Sequence, residues 1–294
     1  MKSKDQKRIL IIGGSGFIGK NSIIKFTEFN IGNMLNLDKD FSLLGVKTIY
    51  MDLRSPIFTE IRRFMPEYII YLASLNDYEC DDLNIATRIN VDALERIYQE
   101  LIGYETLKKF IYISDYKLYS STPPFKENDS IKKNNNYLIT KSLAEEICLK
   151  YIKEYSIPSI IFRASNIYGP LDQKKNDIIS NMIKQALRTD NIIIENNNIY
   201  DYLYISDFIK ALIKSLDCEF CGIINIGSGK ATETINIAKY ISSALNTKIE
   251  IKNNTIYEFY LNDITKVQNI LNWNPRIELS VGIDNTIKYL KKTN

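Results

Sequence analysis

The 294-residue chain contains no histidine. A serine–histidine hydrolase, a histidine-ligated metal hydrolase and an imidazole general base are thereby excluded, which leaves Tyr, Lys, Asp, Glu or Cys to move protons. Cysteine is scarce, with four residues in all. Cys218 and Cys221 form a single C-x-x-C with no second pair and no histidine to complete a zinc site, so they read as ordinary thiols in a turn and no metal is expected. No apolar run approaches the ~20 residues of a membrane span. The basic segment MKSKDQKR is followed by only four apolar residues before glycines begin, too few for a signal peptide, so a cytoplasmic protein without a membrane partner is expected. There is no block of one charge and no internal repeat. The net charge of +3 comes from interspersed basic and acidic residues, which leaves no nucleic-acid footprint and a modest positive potential suited to an anionic small molecule.

What is present starts at Arg8. Ile9 to Ile12 form an unbroken apolar run, the pattern of a parallel strand buried on both faces. It breaks into Gly13-Gly14-Ser15-Gly16-Phe17-Ile18-Gly19, with glycine at every third position. Such a turn lets a phosphate approach bare amides at the start of the next helix, where the helix dipole favours negative charge. Phe17 to Phe29 has the apolar content of that helix. A second strand, Asn33 to Leu37, ends in Asp38, nineteen residues past Gly19. That is where a dinucleotide-binding fold places the acid that holds the adenosine ribose, and an acid there repels a 2′-phosphate, so NAD is the expected cofactor.

The rhythm continues with a strand from Lys47 to Met51 ending at Asp52-Leu53, a helix from Ile57 to Phe64, and a buried strand from Tyr68 to Ala73. The end of the last, Ala73-Ser74-Leu75-Asn76, uses small residues where a cofactor would cross. A longer helix spans Asn84 to Ile102, and a fifth strand from Lys109 to Ile113 delivers Ser114 and Asp115 at its carboxyl end. Residues 120 to 136 read as a loop, followed by a helix from Tyr137 to about Tyr155 and a strand from Ser159 to Phe162. This alternation predicts an α/β fold, a doubly wound parallel sheet of Rossmann type over residues 1–170, with about 199–220 returning to it. Residues 171–294 are expected to form a smaller mixed α/β substrate-binding domain.

Tyr137 and Lys141 lie four residues apart at a predicted helix start, so phenol and ammonium share one face. A free tyrosine titrates near 10. A lysine beside it, together with a pyridinium cofactor, favours the phenolate and would let Tyr137 act as a base near neutral pH.

Together these residues resemble the extended short-chain dehydrogenase/reductases, specifically the NAD-dependent nucleotide-sugar epimerase/dehydratase group. The glycine triplet, Asp38, Asp52-Leu53, Tyr71-Leu72-Ala73, Asn90-Val91, Tyr137 with Lys141, and Arg163-Ala164-Ser165-Asn166-Ile167-Tyr168-Gly169-Pro170 carry the likeness. Asp201-Tyr202-Leu203-Tyr204, Asn225-Ile226-Gly227-Ser228-Gly229 and Leu271-Asn272-Trp273-Asn274-Pro275 extend it nearly end to end. The resemblance implies that Tyr137 takes a sugar hydroxyl proton, usually at C4, while hydride passes to NAD, and that Lys141 binds the nicotinamide ribose. It implies cofactor contacts at Gly13, Ser15, Gly16, Phe17, Ile18, Gly19, Asp38, Lys39, Asp52, Leu53, Leu72, Ala73, Ser74 and Asn90. Asn76, Asn166 and Tyr200 are the corresponding substrate candidates, and a homodimer through helices near residues 90 to 102 and 137 to 152 is implied as well.

Three departures stand out. Asp115 occupies the place of the family's Ser or Thr, counted four residues before Tyr119. Shifting the register by one makes Ser114 the hydroxyl instead, and the sequence leaves both open. Tyr200 replaces an arginine that contacts a diphosphate, and no arginine occurs between Asn253 and Lys266, where another is usual. Lys174, Lys175 or Lys184 are the candidates to replace those charges. The expected function is NAD-dependent oxidation, epimerisation or reduction at C4 of a nucleotide-activated sugar. The alternatives are a nucleotide 4-keto-sugar reductase and a non-catalytic nucleotide-binding member of the family.

Overall fold

A computed structural model describes residues 7–40, 45–54, 58–171 and 177–293. Ile57, Lys174 and Lys175 lie outside the described residues. The chain divides into two compact units: Met1–Ser120 with Ser130–Arg163 and Leu212–Ile224, and Ser121–Asp129 with Ala164–Ala211 and Asn225–Asn294. The segment that returns to the first unit is therefore Leu212–Ile224.

In the first unit the apolar runs become strands β1 (Arg8–Ile12), β2 (Asn33–Asp38), β3 (Lys47–Tyr50), β4 (Tyr68–Tyr71), β5 (Lys109–Asp115) and β6 (Ser159–Ala164). With β10 (Gly222–Ile226) they form a seven-stranded sheet in the order β10-β6-β5-β4-β1-β2-β3. Pairings from β3 through β5 are parallel, with Leu10 opposite both Leu35 and Ile69. Ile9 through Ile12 have no exposed surface, because both faces of the sheet are covered. Leu10, Ile12, Leu35, Leu37, Ile69, Tyr71, Phe110 and Tyr112 belong to one apolar cluster. Leu94, Ile97 and Tyr98 from α4 (Ala93–Glu100) join it, as do Ala144, Cys148 and Tyr151 from α5 (Asn136–Tyr155).

Helix α1 (Phe17–Glu28) follows β1, and the turn between them is crowded. A Cβ on Gly13, whose φ is +88°, would lie 2.6 Å from the Ala73 amide nitrogen, and one on Gly19 would overlap the Gly14 backbone. Helix α2 (Phe58–Phe64) precedes β4. Between α3 (Leu83–Thr87) and α4 the helix widens into a π-turn over Arg88–Asp92.

The second unit is built on β9 (Ile199–Tyr204), which pairs with β7 (Asn166–Tyr168), β11 (Ala231–Glu233) and β13 (Phe259–Tyr260). These pairings keep β9 in this unit, so of the expected returning segment 199–220 only the part from Leu212 lies in the first. Phe125 is drawn here too: its amide donates to Leu261 O at 2.8 Å, and its carbonyl accepts from Asp263 N at 2.9 Å. Asp207 anchors the Leu-Asn-Trp-Asn-Pro segment. Its carboxylate accepts from Arg276 N and Ile277 N at 2.6 and 2.7 Å, while its carbonyl accepts from the Trp273 indole at 3.0 Å.

Asp201 is wholly buried and accepts hydrogen bonds from Ser228 N, Ser228 Oγ and Gly229 N. Burial raises its pKa from 3.8 to about 6, against the opposing pull of those donors.

Two predictions follow from these packings. Gly19→Ala must displace backbone, so thermal denaturation should show a loss of about 1–3 kcal/mol. Between pH 4 and pH 6 the unfolded chain releases the Asp201 proton while the folded chain retains it. The stability from this group is therefore complete below about pH 4 and is lost as pH rises through about 6. Urea unfolding across that window should show a decline that Asp201→Asn flattens.

Candidate active site

The glycine turn is a cradle for a phosphate. Gly16, the N-cap of α1, has no side chain to cap the helix, and the first turn carries no acidic residue. A Cβ there would meet only Gly13 O, at 3.5 Å, so the space beside Gly16 at the helix start is open. The first-turn amides of Phe17, Ile18 and Gly19 and the helix dipole suit the pyrophosphate of a dinucleotide. Asn36 holds the turn in shape: its Oδ1 accepts from Gly14 N at 2.9 Å, and its Nδ2 reaches Ser15 Oγ and Thr48 Oγ1. Asn36 is not among the residues that the glycine pattern points to. Its signal was a polar residue inside an otherwise buried strand.

Asp38 ends β2 beside this turn and accepts from Ser15 N at 2.8 Å and Asp40 N at 3.0 Å. Lys39 is exposed next to it. Asp52 is clasped by Arg54 through both backbone and guanidinium, which holds its carboxyl down at about 2. Leu53 offers its carbonyl to Arg96 at 2.6 Å. Leu72 N donates to Ile12 O at 2.8 Å, fixing the exit of β4 against β1, with Ala73 packed against Gly13.

Asn90 is an internal brace. It is almost wholly buried in the π-turn, and its Oδ1 accepts from Leu75 N at 2.7 Å and Ser74 Oγ at 3.2 Å. Its Nδ2 donates to Thr140 Oγ1 at 3.1 Å and to Leu75 O at 3.3 Å. The residue thus ties the exit of β4 to α5, one position before Lys141. Asn76 N donates to Glu79 Oε2 at 3.0 Å, beginning the short turn Asp77–Glu79.

The carboxyl end of β5 meets the start of α5. Asn135 caps that helix by accepting from Leu138 N at 2.8 Å, which sets Tyr137 in its first turn. The Tyr137 hydroxyl donates to Asp115 Oδ2 at 2.8 Å. Asp115 Oδ1 accepts from Lys117 N, also at 2.8 Å. Ser114 lies almost wholly buried with no hydrogen-bond partner for its hydroxyl. Of the two registers left open, the structure places Asp115 at the phenol.

Lys141 Nζ donates to Ile113 O at 3.0 Å and lies 5.2 and 5.6 Å from the ring centroids of Tyr112 and Tyr137. Its burial lowers its pKa, partly offset by Asp115 and Glu145. Burial first, then Asp115, pushes the Tyr137 phenol well above its ordinary value. Both causes favour the protonated phenol, against the phenolate that a neighbouring cation promotes.

Of the substrate candidates in the second unit, Asn166 is partly exposed on β7. Tyr200 is buried and committed internally. Its hydroxyl donates to Glu258 and accepts from Asn198 Nδ2 at 2.9 Å, and burial with the Glu258 carboxylate raises its pKa strongly.

Because Gly16 is unstrained and unobstructed, Gly16→Ala should leave the melting temperature unchanged. It should weaken NAD binding at least about tenfold by standing where the phosphate approaches, as read by isothermal titration.

Comparison with known proteins agrees with this fold. The sequence is 27% identical to a candidate UDP-glucose 4-epimerase of Methanocaldococcus jannaschii, over 97% of this chain and 99% of that one. It is 29% identical to the dTDP-4-dehydro-6-deoxyglucose reductase of Escherichia coli, over 96% and 97% of the two chains. The fold matches a crystal structure of UDP-glucose 4-epimerase from Thermotoga maritima with a TM-score of 0.89 at 21% identity, covering 97% of this chain and 99% of the other. Residues 9–227 match the family model of NAD-dependent epimerases and dehydratases, and the chain belongs to that family.

Proposed function

We propose that the protein is an NAD-dependent oxidoreductase acting at C4 of the sugar in a nucleotide-activated sugar, with Tyr137 as the acid/base group. The observation that carries this reading is the meeting of the Tyr137 phenol and the buried Lys141 ammonium at the carboxyl end of β5. The glycine cradle opens from the same sheet, and ligands of such sheets bind outside the carboxyl ends of the strands. NAD, when bound, supplies the hydride acceptor or donor. Gly16 and the first-turn amides of α1 would hold its pyrophosphate, Asp38 its adenosine ribose and Lys141 its nicotinamide ribose.

The protein's own part is the proton. Oxidation of a secondary alcohol requires that the hydroxyl proton leave as the carbon loses hydride, and Tyr137 receives it at the phenol oxygen as that oxygen gives up its own proton. Lys141 is kept in place by Ile113 O, so its charge stands over the Tyr137 ring whichever way the proton moves. In the reverse direction the phenol returns the proton to a ketone oxygen.

One observation favours net reduction of a 4-keto sugar as the second reading. In the resting site Tyr137 is a protonated donor beside Asp115, the state a general acid needs before the reaction. The 29% identity to a 4-keto-sugar reductase points the same way.

A panel of UDP-, GDP-, CDP- and dTDP-linked sugars, followed by cofactor absorbance, tests the assignment. Turnover of at least one is expected, and Tyr137→Phe should lower it by about 10²-fold or more. Unchanged turnover in that variant overturns the role of Tyr137.

A further inference from the structure

We propose that Asp115 is the terminal proton acceptor of the site, taking the Tyr137 hydroxyl proton as the phenol oxygen takes a proton from the substrate hydroxyl. This rests on the reading of Tyr137 as the acid/base group and extends it by one proton transfer. Asp115 acts through Tyr137, so it is a positioning and relay residue.

The geometry is that of a relay. Asp115 is the last residue of β5, and its two oxygens have separate duties: Oδ1 is pinned by Lys117 N at 2.8 Å, and Oδ2 accepts from the phenol at 2.8 Å. A carboxylate fixed at one oxygen presents the other at a set angle without spending rotamer freedom. Lys141, the cation expected to hold a phenolate, gives its hydrogen bond to Ile113 O. The charged and titratable groups around the pair come from several elements. Asp77 lies on the turn after β4, Tyr112 on β5, Lys141 and Glu145 on α5, and the thiols of Cys80 and Cys148 lie near Lys141. Glu145 is ion-paired with Arg163 of β6 at 2.7 Å, which leaves Asp115 and Asp77 as the carboxylates acting on Tyr137, and a phenolate beside a carboxylate sets two anions in contact. A phenol hydrogen-bonded to a carboxylate avoids that repulsion.

The step balances. In oxidation the substrate O–H proton bonds to Tyr137 Oη, the Tyr137 O–H bond breaks, and its proton bonds to Asp115 Oδ2. The substrate carbon–oxygen bond becomes a carbonyl, and the C–H electron pair leaves as the hydride that NAD takes up. Reduction runs each transfer backward, with protonated Asp115 refilling the phenol. The carboxylate thus supplies basicity that a hydroxyl residue at this position lacks.

The experiment is a tyrosinate absorbance titration of the purified protein, with the curve of Tyr137→Phe subtracted to isolate Tyr137. Wild type, Asp115→Asn and Asp115→Ser are compared, with near-ultraviolet circular dichroism to verify folding. Asparagine preserves the shape and the acceptor oxygen but removes the charge, and serine is the second variant should asparagine misfold. The Tyr137 curve is expected to move to lower pH by about one unit or more in both variants. Curves that superimpose on wild type overturn the proposal. With UDP-glucose and NAD, the low-pH limb of kcat/KM should move upward in both variants, because Tyr137 must then lose its own proton. An unmoved limb also overturns the proposal, and the titration alone decides where that sugar is not turned over. Failure of the parent reading is a separate result: Tyr137→Phe retains turnover, whatever the Asp115 variants do.

Discussion

Close backbone approach at the end of β1 is the constraint on which the first unit depends. Gly13 lies against Ala73 at the exit of β4, Gly14 against the Asn36 amide of β2, and Gly19 against Gly14 across the turn. Each contact excludes a side chain, so three neighbouring segments converge on bare peptide groups. The helix that follows starts at Gly16 with no side chain capping its first turn. The same packing that closes the core opens the anion cradle, because both require the absence of Cβ atoms.

A second theme is the use of buried amide side chains as spacers. Asn36 shapes the phosphate turn, and Asn90 joins the exit of β4 to α5. Each is nearly inaccessible to solvent with its hydrogen-bonding groups engaged, so losing either would strand partners in the interior. The candidate proton-transfer residues themselves stand on strand ends and the first turn of a long helix, elements whose positions the core already determines.

Much of this was legible from the order of residues alone. Unbroken apolar runs such as Ile9–Ile12 announce strands buried on both faces, and the glycine spacing with Asp38 identifies the dinucleotide cradle in its sheet. The register at the end of β5 was not legible, because adjacent residues of a strand face opposite sides and a shift of one exchanges Ser114 for Asp115. The placement of β9 in the second unit was hidden for another reason. Its partners, 166–168, 231–233 and 259–260, are distant in sequence, and local periodicity carries no information about pairings of that range. Tyr200 could be read as a replacement for an arginine, but its engagement with Glu258, fifty-eight residues on, could not.

The π-turn at Arg88–Asp92 gives the helix one residue more than a regular winding would hold. Removing that surplus residue would rotate everything on one side of it by about 100° relative to the other. Asn90 would swing off the line that joins Ser74, Leu75 and Thr140, while the apolar stripe of α4 turned out of the core. The irregular winding is therefore what lets a single helix satisfy two masters: an inward-facing row of aliphatic side chains, and one amide aimed at the strand exit where chemistry is expected.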